Sequence, residues 1–242
     1  MKKNIFVIAL CALLLVGCTT DWGNPITNWG DPSTRNYHIS GPFTELDVSS
    51  AFHVTVSDQV TDVVITVDEM AHDKVVVKVV NGELQIGFKP NTWYNGSKAT
   101  AIIPATDNLR SVELSGASSF TGDLNGHDVD IELSGASHFQ GSVDAEEIDL
   151  DLSGASKVVM NGFCTEKMDI NLSGASSLNA PLMETPYVFG SMSGASTADV
   201  TICSKLNVSL SGASTLIYGL VSPDCNPYIN CPCSGGSTVR PR

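Results

Sequence analysis

Ser115-Gly116-Ala117-Ser118 returns intact at Ser134, Ser153, Ser173, Ser193 and Ser211, at intervals of 19, 19, 20, 20 and 18 residues. A degraded copy, Ser234-Gly235-Gly236-Ser237, follows 23 residues after the last. Repetition at this period marks a stacked architecture, in which a unit too small to bury its own apolar face buries it against its neighbours. The residues before each copy alternate. Val112 and Leu114, Ile131 and Leu133, Leu150 and Leu152, Ile170 and Leu172 are apolar, while Glu113, Glu132, Asp151 and Asn171 stand between them. Period two is the pattern of a half-buried strand. Two more short apolar steps follow each turn, near Phe120, Phe139, Val158, Leu178 and Leu216, and near Leu124, Val143, Leu182, Ile202 and Leu220. Each unit thus predicts about three short strands with sharp bends between them.

Units stacked in register place like residues on one another ~4.8 Å apart, so the six intact copies span ~24 Å. The repeat glycines Gly116, Gly135, Gly154, Gly174, Gly194 and Gly212 are its structural residues. Glycine at the bend permits a positive φ, or a close approach where a Cβ would clash. Alanine is expected to point inward, and the two serines to bond to each other or to the backbone. These features specify an all-β fold, a parallel β-helix. A leucine-rich repeat of similar period needs an Asn or Cys step and a helical back, and neither is present.

The N-terminus carries its own signals. Lys2 and Lys3 precede an apolar run from Ile5 to Val16, the layout of a signal peptide over residues 1–17. Leu15-Val16-Gly17-Cys18 resembles the bacterial lipobox, which implies cleavage before Cys18 and lipid attachment there. Residues 18–36, rich in Asn, Pro, Gly, Asp and Thr, read as a tether, with Trp22 and Trp29 as its large apolar groups, which either stay in the tether or dock on the domain. Residues 37–110 alternate without the tetrapeptide. Ser49-Ser50-Ala51-Phe52 is a diverged first coil, Val63–Val67, Val75–Val79, Leu84–Phe88 and Ala99–Ile103 are strands, and Asn81-Gly82 is a turn. This part is expected to start and cap the stack, whose bare end would be an aggregation-prone edge. Residues 111–222 form the regular coils and 223–242 a C-terminal cap.

The run Phe43-x-x-Leu46 through Phe52-x-Val54-x-Val56, then Asp68-Glu69, Lys74-Val75, Gly82-x-Leu84-x-Ile86 and the Leu-Ser-Gly-Ala-Ser series, resembles the head GIN domain family. Its members are described as autotransporter adhesin heads, often lipoproteins of Bacteroidetes. The resemblance covers about residues 40–240 and implies a single-stranded right-handed β-helix with an adhesin role.

Candidate chemistry is sparse. The serines of the tetrapeptide lack the second glycine of a nucleophile elbow, and a catalytic serine would not occur in six equivalent copies. His38, His53, His72, His127 and His138 show no metal-ligand spacing. Cys225, Cys231 and Cys233 fall within nine residues and predict a disulfide-pinned loop, with a metal site as the alternative. Cys164 and Cys203, two coils apart at ~9–10 Å, read as buried thiols too far apart to bond. Glu113, Glu132 and Asp151 stack in one outward column, and Asp130, Asp149 and Asp169 in another. Like charges at that spacing repel, and the columns read as a solvated acidic face with no metal, with calcium held by Asp130, Glu132, Asp149, Asp151 and Asp169 as the alternative. Trp93 and Tyr94, in the loop 91–97, are the candidate ligand contacts.

The chain carries a formal charge of −13, with 13 basic against 26 acidic residues. That balance, without a basic cluster, excludes nucleic acid and direct attraction to anionic lipid. The reading is a lipid-anchored, non-enzymatic binding module of the cell envelope, at the outer membrane, with a glycan or protein partner and no cofactor. The alternatives are a polysaccharide lyase or hydrolase, and a self-associating envelope component.

Overall fold

The computed structural model describes residues 29–242; the expected signal segment, Cys18 and Trp22 lie outside them. The N-terminal part contains β1 (Pro32–Tyr37), β2 (Glu45–Val48), β3 (His53–Ser57), β4 (Val63–Asp68), a 3-10 helix (Glu69–Lys74), β5 (Val75–Val80), β6 (Glu83–Phe88) and β7 (Thr100–Pro104). The repeats supply β8 (Ser111–Leu114), β9 (Ser119–Thr121), β10 (Leu124–Leu133), β11 (His138–Leu152), β12 (Lys157–Leu172), β13 (Ser177–Met192), β14 (Thr197–Leu210) and β15 (Thr215–Leu220). Two short strands, β16 (Tyr228–Ile229) and β17 (Thr238–Pro241), end the chain. Together they form a β-solenoid of about 7 turns. Each coil runs from one tetrapeptide to the next almost without interruption. The expected second and third strands merge into segments of up to 16 residues, broken by register shifts such as that between Phe163 and Lys167.

The ladder is parallel and nearly in register. Leu133 lies between Leu114 and Leu152, Leu172 follows Leu152, and Met192 and Leu210 complete the column. All are buried. After the turn, Phe120, Phe139, Val158, Leu178, Ala198 and Leu216 form a second buried column. Within it the Phe120 and Phe139 rings stack at 5.8 Å and 25°.

The repeat glycines do what the sequence requires of them: Gly116, Gly135, Gly154, Gly174, Gly194 and Gly212 all adopt φ between +71° and +75°. The turns also bond to one another. Ala136 N–H donates to Gly116 O, Ala155 to Gly135 O, Ala175 to Gly154 O, Ala195 to Gly174 O and Ala213 to Gly194 O, each at 2.7 Å. Contrary to the expectation for alanine, Ala117, Ala136 and Ala155 face outward and the second serine of each copy is buried. Its hydroxyl donates to the carbonyl of the first: Ser118 to Ser115, Ser137 to Ser134 and Ser214 to Ser211, each at 2.8 Å. A buried hydroxyl satisfied by the turn it closes costs little. An alanine there would leave that carbonyl without its donor.

Val48 pairs with Leu114 and His53 with Ser119, so Ser49–Phe52 aligns with Ser115–Ser118 as a diverged first turn. The coils, however, do not follow chain order. The β2/β3 coil lies between β8/β9 on one side and β6/β7 on the other. Antiparallel strands cover the outer coil: β5 on β6 through Asn81-Gly82, both at positive φ, and β4 on β7 with β1 beyond it. Residues 32–36, read above as tether, are therefore part of a strand. Trp29 is buried as well, its indole N–H donating to Asn95 Oδ1 at 2.9 Å. A Pro/Asn/Thr-rich composition hid this strand, which is held by β4 and not by an apolar face of its own.

At the other end the degraded copy is a true coil, and not a separate cap. Gly235 has φ +67°, Gly236 N–H donates to Gly212 O at 2.7 Å, and β17 pairs with β15. The cysteine expectation also needs correction. Cys225 is bonded to Cys203, while Cys231 and Cys233 are free thiols. The loop that follows β15 folds back over the preceding coil and brings Cys225 to Cys203, an approach that coil spacing does not predict. Cys164 is a buried thiol, as expected.

Candidate functional site

Because side chains alternate across a strand, each coil presents outward positions two, four and six residues before its tetrapeptide. These make three parallel columns on one sheet. The first column runs Asp47, Glu113, Glu132, Asp151, Asn171, Ser191 and Ser209. The second runs Glu45, Ser111, Asp130, Asp149, Asp169, Phe189 and Asn207. The third runs Asp128, Glu147, Lys167, Tyr187, Lys205 and Tyr228. All five calcium candidates sit on this sheet, and Glu45 and Asp47 extend the columns into the diverged coil. Counting back from Ser49 as from Ser115 would have found both.

Beside the first column, between the strand ends and the turns, runs an open groove of about 270 Å³. Its wall includes Glu113, Glu132, Asp151, Asn171 and Ser191, one from each of five coils, with turn serines such as Ser153 opposite. Burial raises the Glu132 carboxyl above its ordinary value, and Glu113 and Asp151 raise it further. Burial likewise raises Glu113, Asp47, Asp130 and Asp149, each with help from neighbouring carboxylates.

Internal cations offset part of this repulsion. Lys167 Nζ lies 2.9 Å from Glu147 and 3.3 Å from Asp169, and Arg110 lies 2.8 Å from Glu45. Among the described residues no three His, Cys, Asp or Glu side chains are placed to hold a metal ion. A ladder with one carboxylate per coil spreads its oxygens along a line, whereas calcium takes six to eight converging on one point.

These shifts predict a pH dependence. A carboxyl with a raised folded value holds its proton more firmly in the native than in the unfolded chain. Its contribution to stability is complete below the ordinary carboxylate range of ~4 and is lost as pH rises through the raised value. Asp68 in the cap runs the other way. Burial would raise it, but hydrogen bonds from Ser97 and Tyr94 hold it below the ordinary value, so its contribution is lost in stronger acid. The melting temperature should therefore rise as pH falls from neutrality towards the ordinary carboxylate range of ~4 and drop again in stronger acid. Glu132→Gln should raise the neutral-pH value and flatten the slope. A melting temperature that falls steadily from neutrality down to that range would contradict the strain assigned to this face.

The aromatic candidates prove different from one another. Tyr94 is a structural part of the cap: its ring packs on Phe88 at 4.8 Å and on Trp29 at 5.2 Å, and its hydroxyl accepts the Asp68 N–H at 3.3 Å. Trp93 is exposed, in the segment between β6 and β7 at the capped end. The exposed aromatics on the columned face, Tyr187 and Tyr228, escaped sequence reading. The signal was present, since each stands six residues before a serine that opens a turn.

A family model described as "Putative auto-transporter adhesin, head GIN domain" matches residues 42–219. No curated protein sequence matches the chain. The fold is shared with a crystal structure of a "putative adhesin" from Bacteroides fragilis, with TM-score 0.74 and 17% identity over 88% of this chain and 97% of that one. A "putative adhesin" from Parabacteroides distasonis has TM-score 0.64 and 19% identity, covering 88% and 98%. A "putative lipid binding protein" from the same species has TM-score 0.61 and 17% identity, covering 88% and 97%. At these identities the likeness concerns the fold.

Proposed function

The chain belongs to the head GIN domain family, and on that footing we propose that it is a non-enzymatic adhesin module, held at the outer membrane through lipid on Cys18. The observation that carries this reading is the groove along five coils. It offers a repeating set of carboxylate, amide and hydroxyl groups to an extended partner, and its lining includes no histidine, lysine or arginine to act as base or electrophile. The serines beside it are turn-closing groups repeated in every coil. With Trp29 docked, residues 18–28 can reach at most ~35–40 Å. The anchor then keeps the capped end near the membrane and leaves the columned face free to meet partners.

Protease treatment of intact cells tests the surface assignment. Degradation of this protein while the cells stay sealed is expected, together with release from the membrane fraction by Cys18→Ser. Survival until the outer membrane is opened would place it in the periplasm and end the adhesin reading.

A hydrolase reading has one observation in its favour. Glu132 and Asp151 stack on adjacent coils, ~5 Å apart at the ladder spacing, close to the carboxylate separation of retaining glycosidases, and Glu132 is raised. Release of reducing ends from a neutral polysaccharide, abolished by Asp151→Asn, would support it over the adhesin.

A further inference from the structure

The C-terminal half of the columned face differs from the acidic half in kind. On β13, Val188 is fully buried while Tyr187 and Phe189 face outward, their rings 6.3 Å apart and inclined by 18°. One coil further, Lys205 pairs with Tyr187 and Asn207 with Phe189. The Lys205 ammonium lies 5.2 Å from the Phe189 ring centre. One coil beyond that, Tyr228 pairs with Lys205, and Asn230 Nδ2 donates to Asn207 Oδ1 at 2.9 Å. Tyr187 is 42% exposed and Tyr228 65%. Their positions lie two coils apart, ~9–10 Å along the axis. The equivalent positions in earlier coils hold Asp128 and Glu147, so the ladder does not require rings there.

We propose that Tyr187, Phe189 and Tyr228, with Lys205, Asn207 and Asn230, form a binding platform for a neutral glycan lying along the solenoid axis. This names the ligand class for the adhesin module proposed above and rests on that reading. The chemistry selects the class. The exposed Tyr187 and Tyr228 rings offer an electron-rich face to C–H groups, with Phe189 packed beside Tyr187 and under Lys205, and a pyranose presents such groups on its ring faces. Sugar hydroxyls both donate and accept. The Asn207 and Asn230 amides can do the same, while Lys205 donates and the nearby carboxylate of Asp169 accepts. The coil rise of ~4.8 Å is close to the length of one pyranose unit, so successive sugars can meet equivalent rows. The groove wall at Ser191, two residues beyond Phe189 on the same strand, continues the polar surface.

The alternatives fit less well. The carboxylates of the neighbouring coils would repel a nucleic acid or an acidic glycan. A peptide adding as a strand needs an open edge; β13 and β14 are paired on both sides, and of the strands that carry the platform only the two-residue β16 is paired on one side, too short a template for strand addition. A membrane surface is disfavoured by lysines, amides and carboxylates interleaved with the rings.

The test uses the folded chain from residue 18, with Cys18→Ser to remove the lipid. Its probes are surface-immobilised chitohexaose, mannan, laminarin and dextran, with hyaluronan as the acidic comparison. Binding to at least one neutral probe and weaker binding to hyaluronan are expected. Tyr187→Ala and Tyr228→Ala should each lower the affinity about tenfold. Both residues are exposed, so their melting temperatures should match the parent and separate lost contact from lost fold. Trp93→Ala, at the capped end, should leave binding unchanged.

Three results would overturn the proposal: no binding to any neutral probe, binding that the double variant Tyr187→Ala/Tyr228→Ala retains in full, or preference for hyaluronan. Binding only to an immobilised protein such as fibronectin, lost in the double variant, would make the platform a protein interface and overturn the glycan claim. Adherence of whole cells to host mucin distinguishes the levels. If cells carrying the double variant adhere as well as the parent, while cells lacking the protein do not, the adhesin reading stands and the platform falls.

Discussion

Gly154→Ala is expected to lower the unfolding free energy by about 2–5 kcal/mol, adding ~1–2 kcal/mol for a left-handed non-glycine residue to ~1–3 kcal/mol for overpacking. Gly154 has φ +71°, and a Cβ on it would stand 2.4 Å from Gly135 O. That carbonyl cannot retreat freely, because it accepts the Ala155 N–H at 2.7 Å. The added methyl would have to separate the two turns, and in a solenoid, where each coil contacts only its neighbours, the loss falls on one interface in the middle of the stack. Gly116→Ala provides the internal comparison. Its Cβ would meet nothing nearer than Ser50 N at 3.6 Å, at a similar φ of +75°. It should cost only the ~1–2 kcal/mol of backbone strain. Urea titrations of both variants measure the difference. Equal losses would mean that the close stacking of the turns contributes nothing beyond the φ requirement.

Phe139→Ala is expected to cost about 3–5 kcal/mol, the range for emptying a buried aromatic site. At ~2–4 °C per kcal/mol for a chain of this size, the melting temperature should drop by about 10 °C. Phe139 is fully buried and stacks on Phe120, which would face the void on one side. The parallel ladder holds backbones at a fixed rise, so neighbouring coils cannot close the gap without breaking hydrogen bonds. Phe163→Ala, at an exposed site on the next coil, should change stability by about 0.5 kcal/mol or less. Comparable losses at both positions would show that the Phe120–Phe139 column is not what holds these coils together.

The acidic columns were legible because the tetrapeptide supplies a register mark, and side chains two and four residues before it must share a face. The same count places Tyr187, Phe189 and Tyr228 on that face, although a pattern of hydrophobicity alone marks them only as apolar or aromatic residues near a strand end. Within the tetrapeptide the sequence misleads about direction. Alanine suggests the interior and serine the surface, yet Ser137 is buried and Ala136 exposed. A two-residue bend leaves one side chain able to reach back to a carbonyl, and a hydroxyl satisfied there is less costly inside than it appears from polarity.

What the sequence determined by itself is the periodic part: a β-solenoid with coils of 18 to 20 residues, glycine at every stacked turn from Gly116 to Gly212, and an acidic face. Those properties are local and repeat, so one register fixes them all. What only the tertiary structure decided is everything that breaks the repeat. The coil of β6 and β7 stacks beneath the coil of β2 and β3 although it follows it in the chain. A Pro- and Thr-rich segment becomes the strand β1, Tyr94 turns into the cap, and Cys225 finds Cys203. In each case the partner lies far along the chain and no periodicity points to it. The pairing depends on which edge, pocket or thiol the three-dimensional path of the chain brings within reach.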